Sequence, residues 1–472
     1  MKNIREWISI CEREGDLKRI TAEVDWNLEI SHIAKLNEEQ KGPALLFENV
    51  KGYDIPVLAS ALTTSKRLAI TLGMPLHYSI CDMGREWVKL TGRELIRPRI
   101  VNPGPVTEMV IEENDVDLLR DFPVPKFYPK DGGRYIGTAV YLLTQDMETG
   151  WVNMGTYRMM VHDRNHTGIQ IIKGKHADMH LKQYQKAGKL MPAAAVIGCD
   201  PVHFFASSVP LPYQVSEYDI IGALRKEPVE VFKSDLTGLL LPAHAEIVLE
   251  GFVDPNDVRP EGPFGEYTGY YSGADKEEWP KQVLHVTRIL RRRKPVFWVT
   301  SVGKPITDTH VINSLTRTGT LWSDLEAMRV PGVQSVYVLP QSAGRFWAII
   351  SLKTMYPGHS NHAAMAAHGC STGHYGMKGV IVVDADIHAE DLDRVIWALS
   401  VRYDPARSTE VISRARSTPL DPSLPIQARH IGSKIIMDAT IPYEWDRKPE
   451  EIFLDEEVAR RVKARWNELG LD

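Results

Sequence analysis

Tyr135-Ile136-Gly137-Thr138-Ala139-Val140-Tyr141-Leu142-Leu143-Thr144-Gln145, then Asp146-Met147-Glu148-Thr149-Gly150, then Trp151-Val152-Asn153-Met154-Gly155-Thr156-Tyr157-Arg158-Met159-Met160-Val161, reads as strand, turn, strand. Apolar, β-branched and aromatic residues fill both flanks, and the segment from Asp146 to Gly150 carries turn chemistry. Two downstream runs give the same signal: Ala193-Ala194-Ala195-Val196-Ile197-Gly198 and the alternating His244-Ala245-Glu246-Ile247-Val248-Leu249-Glu250. Repeated hairpins of this kind predict an antiparallel barrel or sandwich in the middle of the chain.

The flanks read differently. Ile4, Trp7, Ile8 and Cys11 fall on one face of an N-terminal helix, Pro43 to Phe47 reads as a strand, and Ser65 to Ile70 starts another helix. Between about Arg97 and Gly133 the chain is crowded with Pro, Asp and Gly, as expected of an interdomain passage. After the strands, a helix from about Leu315 to Met328 leads to a βα pair, Val380 to Val383 and Asp391 to Leu399. The chain closes on a charged amphipathic helix whose stripe is Leu454, Val458, Val462 and Trp466, either intrachain core or a subunit seam. The resulting expectation is an α+β multidomain protein: an N-terminal α/β region over 1–110, a strand-rich domain over 111–312, and a linking helix with a C-terminal α/β domain over 313–472.

A chain of 472 residues, 43% of them hydrophobic, exceeds one core and predicts two or three domains. The net charge is only −5, and the basic run Arg291-Arg292-Arg293-Lys294 leads directly into a strand-like Pro295-Val296-Phe297-Trp298-Val299, so nucleic-acid binding has little support. No apolar stretch reaches membrane-spanning length, and Met1 to Trp7 lacks the apolar core of a signal peptide; a cytoplasmic protein with no membrane partner is expected. The four cysteines, Cys11, Cys81, Cys199 and Cys370, are dispersed without CxxC spacing, which argues against a disulfide framework or a zinc site. Cys370 has no evident base to activate it as a nucleophile.

Chemistry concentrates in Glu261-Gly262-Pro263-Phe264-Gly265-Glu266-Tyr267-Thr268-Gly269-Tyr270. Three glycines and a proline exclude regular structure, so two carboxylates five residues apart stand on a stiff, special turn. Paired acids among aromatic neighbours suit general acid and base work. The alternative is a surface turn whose acids are merely solvated.

This loop resembles the signature of the UbiD-type decarboxylases, which use prenylated flavin mononucleotide to remove carbon dioxide from aromatic and α,β-unsaturated acids. Four further elements follow in the family's order: Asn153-Met154-Gly155-Thr156-Tyr157-Arg158, Lys175-His176, Ser207-Ser208-Val209-Pro210 followed by Glu217, and Lys378 before Gly379 to Asp384. The resemblance implies a central split β-barrel, flavin reductase-like, that binds prenylated FMN. It implies cofactor contacts from Asn153, Thr156, Tyr157, Arg158, Lys175, His176, Ser207, Ser208, Glu217 and Lys378. Asn153, His176 and Glu217 would hold Mn²⁺ or Mg²⁺, a donor set unlike that of structural zinc, and K⁺ would bind near Ser207 and Glu217. Arg158, Glu261 and Glu266 would form the catalytic network, Glu266 returning the proton and Glu261 orienting Arg158.

A cofactor is chemically necessary, because loss of carbon dioxide from an sp² carbon leaves electrons that no side chain can accept. Neither a dinucleotide nor a triphosphate motif is present. Met154 and Tyr157 bring the chain closer to the branch acting on hydroxybenzoates and other aromatic acids, and His310, His359 and Asn361 are candidates for the substrate side. Asn153 and Arg158, an odd number of residues apart, should face opposite sides of a regular strand unless Gly155 permits a bulge. Expected partners are a small carboxylic acid, a flavin prenyltransferase as cofactor supplier, and further copies of the chain in a homodimer or homohexamer. Two other readings stay open: a flavin-binding oxidoreductase, and a non-catalytic subunit of a multicomponent decarboxylase.

Overall fold

The computed structural model describes residues 1–92, 94–272 and 280–471. Helix α1 (Ile4–Arg13) begins where the Asn3 side chain accepts the Glu6 N–H, and it buries Ile4, Trp7, Ile8 and Cys11, the stripe expected from spacing. It packs near a four-stranded sheet of Leu17–Ile20, Ala44–Phe47, Val57–Ala59 and, from far along the chain, Phe297–Trp298. The N-terminal unit is therefore completed by residues that lie beyond the central domain in sequence. Helix α2 (Ile80–Thr91), which carries a Ser79–Asp82 capping box, packs against the long helix α6 (Asp308–Ala327).

The central sheet has seven strands among the described residues: β1 (Met109–Glu112), β2 (Val140–Gln145), β3 (Val152–Gly155), β4 (His166–Ile169), β5 (Met191–Ile197), β6 (Ile247–Pro260) and β7 (Pro280–Arg291). Their order is β4-β7-β6-β5-β2-β3, with β1 on β7, and every pairing is antiparallel. The predicted hairpin is β2–β3, with Thr144 opposite Asn153 and Gln145 opposite Val152. Each predicted run is shorter than expected, because Tyr135–Gly137 and Met159–Met160 leave the sheet to pair with each other. The isolated bridge Val161↔Thr167 then returns this pair to β4, and the hydrogen-bonded path does not close further among the described residues. The alternation read over 244–250 is not a half-exposed strand: Ala245 through Glu250 are all buried. The stretch read as an interdomain passage is tied down too, since Arg99–Ile100 pairs with Glu230–Lys233 and β1 joins the sheet.

Helix α6 starts seven residues before the Leu315 that sequence suggested, as Thr307 caps it reciprocally with His310. It leads to a five-stranded sheet of β8 (Val333–Val338), β9 (Trp347–Leu352), β10 (Gly379–Asp384), β11 (Thr409–Arg416) and β12 (Ile431–Ala439), in the order β8-β9-β10-β12-β11. Helix α7 (His359–Gly369) packs on β10 and β12, and α8 (Leu392–Val401) completes the expected βα pair with β10. All four cysteines are buried and unpaired; burial pushes the Cys370 thiol up to about 11, as suits an inert core residue.

The final helix, α9 (Glu456–Ala464), buries none of its residues. Ile452, Phe453 and Leu454 are 97, 81 and 83% exposed, so of the two readings of this stripe the intrachain core is excluded. No described helix is long and apolar enough to cross a membrane.

Candidate active site

A cavity of about 380 Å³ opens where four elements end or begin. Strand β3 brings Asn153, and helix α3 (His176–Lys186) starts at it with His176 directly after Lys175. Helix α4 (Pro201–Ser207) ends on it at Ser207 and Ser208, and helix α5 (Glu217–Arg225) starts on it at Glu217. The first turns of α3 and α5 thus add partial positive charge to its wall. Thr156 ties the strand to the serine turn, its hydroxyl 2.8 Å from that of Ser207 and 3.2 Å from that of Ser208.

Asn153, Thr156, Tyr157, Lys175, His176, Ser207, Ser208 and Glu217 all line this one cavity. Sequence reasoning therefore placed eight of its ten cofactor residues together, and the remaining two, Arg158 and Lys378, lie elsewhere. Tyr157 bends back over β3: a Cβ on Gly155 would stand 2.5 Å from its ring, so only glycine admits the tyrosine there. The backbone does not bulge. Strand β3 ends at Gly155, and pairing resumes at Met159, which releases Arg158 to another direction.

The electrostatics of the cavity are unbalanced. Burial pushes the Glu217 carboxyl up to about 8 even though it accepts the Met154 N–H at 2.8 Å, and no cation pairs with it among the described residues. Burial and Lys175 lower His176, favouring the neutral imidazole that can ligate a metal. Asn153, His176 and Glu217 offer oxygen, nitrogen and oxygen donors around the same space, which fits Mg²⁺ or Mn²⁺. On the far wall stand Thr309, Asn313 and Arg345, none of which sequence reading identified. Burial, then Arg345 and Arg317, lower the Lys175 ammonium, so three cations crowd this end with no carboxylate in salt-bridge range among the described residues. A phosphate-bearing ligand held through a divalent cation fits both imbalances at once.

The second cluster is self-contained. Arg158 donates from Nε to Glu261 Oε1 at 2.7 Å and from Nη1 to Glu266 Oε1, while Ser272 Oγ donates to the same Glu266 oxygen at 2.7 Å. The guanidinium lies 4.6 Å over the Phe264 ring, and all three charged side chains are at most 10% exposed. Burial opposes the Arg158 charge, but Glu266 and Glu261 outweigh it and raise its pKa. Lys281 on β7, overlooked in the sequence, sits in the field of the same three groups, and its ammonium is lowered by burial and Arg158.

The acid loop owes its shape to local chemistry. Phe264–Gly265 pairs with Tyr271–Ser272, and between them Glu266 N–H reaches Tyr270 O at 3.0 Å and Gly269 N–H reaches Glu266 O at 2.8 Å. Gly262 at φ +105° takes a conformation open to glycine. Asp131 accepts the Gly265 N–H at 3.1 Å, and Phe264 packs 4.6 Å from Tyr135. The loop is a fastened turn, not the solvated alternative. Glu266 also lines a second cavity of about 260 Å³ with Tyr128, Tyr270, Tyr271 and Lys304.

Four expectations do not fit this geometry. Lys378 does not line the main cavity; its amine is 3.1 Å from Asp421 and 2.6 Å from the Ser423 hydroxyl. His310 has both ring nitrogens engaged, one by Thr307 and the other 2.6 Å from Tyr267 O, and burial lowers it to about 4. It is a helix cap with no nitrogen left for a phenol. His359 accepts the Met355 N–H at 3.2 Å and stacks on Tyr356 within the C-terminal domain. Asn361 lines a different cavity, beside Arg402 and Asp438.

Models of three domains match the chain: 3-octaprenyl-4-hydroxybenzoate carboxy-lyase N-terminal domain over 8–87, Rift-related domain over 99–305 and C-terminal domain over 310–439. An uncharacterized protein of Archaeoglobus fulgidus is 34% identical over 99% of this chain and 98% of its own. The UbiD-class enzyme HmfF of Pelotomaculum thermopropionicum, solved with FMN, superposes with a TM-score of 0.88 at 30% identity, covering 98% of this chain and all of that one. An evolved dimeric form of the same enzyme was solved with prenylated FMN and gives 0.81 at 30% identity, over 96% of this chain and 99% of that one. The vanillic acid decarboxylase of Sedimentibacter hydroxybenzoicus, in its open form, gives 0.88 at 30% identity over 99% of this chain and 98% of that one. With matches running almost end to end and the arginine bound by two buried glutamates in place, this chain belongs to the UbiD family and is a UbiD-class carboxy-lyase.

Proposed function

We propose that this protein removes carbon dioxide, reversibly and without net oxidation, from an aromatic or α,β-unsaturated acid, a hydroxybenzoate-like acid above all, with prenylated FMN as cofactor. The observation that carries this reading is the buried Glu261–Arg158–Glu266 network, a proton-handling assembly with no role in a scaffold. The flavin-bearing relatives and the vanillate enzyme support the cofactor and the aromatic class.

The central sheet, with its Tyr135–Gly137 and Met159–Met160 pair, would serve as the split barrel. Asn153, His176 and Glu217 would hold Mn²⁺ or Mg²⁺ against the flavin phosphate, with K⁺ near Ser207 and Glu217. When bound, the prenylated flavin supplies the electron sink that side chains lack. The chain does the rest. Arg158 offers a planar, charged fork to a substrate carboxylate, Glu261 fixes that fork at Nε, and Glu266 carries a proton to the carbon that has lost its carboxyl. A second copy of the chain would cover the exposed tail from Ile452 to Trp466, and light scattering that reports only a monomer would exclude this.

The test is expression beside a flavin prenyltransferase, followed by carbon dioxide release from a panel of aromatic acids and mass analysis of the bound cofactor. Release from hydroxybenzoates by protein carrying prenylated FMN is expected. Ordinary FMN with hydride transfer and no release would favour an oxidoreductase instead.

A further inference from the structure

Loss of carbon dioxide from a carboxylate consumes one proton per turnover, R–CO₂⁻ + H⁺ → R–H + CO₂. The acid that protonates the carbon must therefore be reloaded from solvent each time. A flavin and a substrate packed against Glu266 would exclude water from their own side. Glu266 has another outlet. It lines the cavity of about 260 Å³, which shares no lining residue with the cavity of about 380 Å³ bounded by Asn153, His176 and Glu217. This second space is large enough for several water molecules.

Its walls depend on glycines. Tyr128 is wedged between the acid loop and the segment before α6: a Cβ on Gly265 would stand 2.6 Å from its ring, and one on Gly303 would stand 2.1 Å from its hydroxyl oxygen. A Cβ on Gly269, at φ +83°, would stand 2.7 Å from Cγ of Lys304. Asp131 joins the two sides, accepting the Tyr128 N–H at 2.9 Å and the Gly265 N–H at 3.1 Å. Burial pushes the Tyr128 hydroxyl above its usual range, so it stays protonated and can donate one hydrogen bond while accepting another. At its rim the cavity reaches exposed residues: Glu39, which ends the helix Glu29–Glu39, Lys304, and Tyr270, the last 64% exposed. Lys35 fastens this rim, its amine 2.5 Å from the Lys304 carbonyl and 3.2 Å from that of Ile306. A buried acid, held at Oε1 by Arg158 and Ser272, thus borders a polar space that reaches the surface.

We propose that this second cavity is the proton entry to Glu266: a passage for water that opens beside Glu39 and Lys304, runs past the Tyr128 hydroxyl and ends on the acid. Glu266 gives its proton to the carbon that has lost its carboxyl and is left as a carboxylate. A proton from solvent then crosses the passage and restores it, one proton in for each carbon dioxide out. Tyr128 shapes the passage without touching the reacting carbon. The proposal rests on the decarboxylase reading above.

All four native cysteines are buried, so a cysteine placed at the rim can be modified alone. Glu39→Cys and Lys304→Cys, on separate segments of the wall, are each made with cofactor loaded. Each is then treated with a bulky aryl maleimide or with methyl methanethiosulfonate, which adds only a methylthio group. Two exchange reactions are followed beside turnover. Labelled carbon dioxide enters the substrate carboxyl through the carbon–carbon step alone, whereas deuterium from solvent enters the product carbon only through the acid. With the bulky group, turnover and deuterium entry should both fall at least about 10-fold, towards the roughly 10²-fold scale of a lost general acid. Carbon dioxide exchange should hold, and the unmodified and methylthio proteins should keep all three activities. Unchanged turnover under both bulky labels would overturn the proton entry. So would a loss of carbon dioxide exchange equal to that of deuterium, which would place substrate in the cavity. A wild type loaded with prenylated flavin that releases no carbon dioxide from any acid would instead overturn the decarboxylase reading.

Discussion

The cavity and the arginine–glutamate cluster meet at consecutive residues, Tyr157 and Arg158, and they handle charge in opposite ways. In the cluster each charged group has an opposite charge beside it: one guanidinium bridges two carboxylates and Ser272 caps the Glu266 oxygen that Arg158 binds, although Glu261 Oε2 is buried without a hydrogen-bond partner. Among the described residues, Glu217, Lys175 and Arg345 in the cavity wall, and Arg317 near them, have no partner of opposite charge in salt-bridge range. A cluster paired within the chain holds its geometry without help. A cavity whose charges lack partners would be stabilised by what binds it, and the proposed ligands are a divalent cation and the phosphate of a flavin. In the proposed reading, the difference separates residues that would act on protons from residues that would hold a cofactor.

Arg158→Met should show the largest effect, because it strands two buried carboxylates. Breaking such a network costs about 3–5 kcal/mol, read as a fall in denaturation midpoint whether or not flavin is present. A loss below about 1 kcal/mol would place the cluster with exposed pairs. Arg317→Met should move the other way. Its lowered pKa means that below about 9 the folded state carries a charge at a penalty, so the ligand-free variant gains stability at pH 7. Adding FMN to both proteins should shrink or reverse that gain, and a destabilised ligand-free variant would show that the cavity cations are compensated after all.

The smallest effect is a calibration away from both regions. Glu38 is buried, accepts hydrogen bonds from Ser60 and Ser301, and is pushed up to about 8 by burial and Asp308. Its folded pKa exceeds its unfolded one, so the folded state keeps a proton between about 4.5 and 8, and stability falls as pH rises through that window. Glu38→Gln should match wild type near pH 4.5 and exceed it by a few °C near pH 8.5. A difference independent of pH would mean that Glu38 does not titrate in that range.

What the sequence disclosed was local chemistry. The β2–β3 hairpin was legible because turn residues and apolar strands sit side by side, and the acid loop because glycines and a proline leave few alternatives. The break at Thr138 was not, since Thr138 there accepts the Thr300 N–H from 162 positions away. Lys378 was misplaced for the same reason: it does open β10, but Asp421 and Ser423, 43 and 45 positions on, claim its amine. His310 carried an imidazole in a polar stretch, and only the helix start shows it to be a cap. Arg345 gave no signal, being one arginine among many until the C-terminal domain sets it on Tyr267.

The most direct measurement compares Glu266→Gln and His176→Ala, each made beside a flavin prenyltransferase, for bound flavin, bound Mn²⁺ and turnover. Glu266→Gln should retain flavin and metal at wild-type levels while turnover falls about 10²-fold or more, the scale for losing a general acid. His176→Ala should lose metal and flavin together, with the residual turnover proportional to the flavin that remains. A Glu266→Gln protein that turns over normally, or a His176→Ala protein that keeps a full complement of both, would contradict the division between a cluster that moves the proton and a cavity that holds the cofactor.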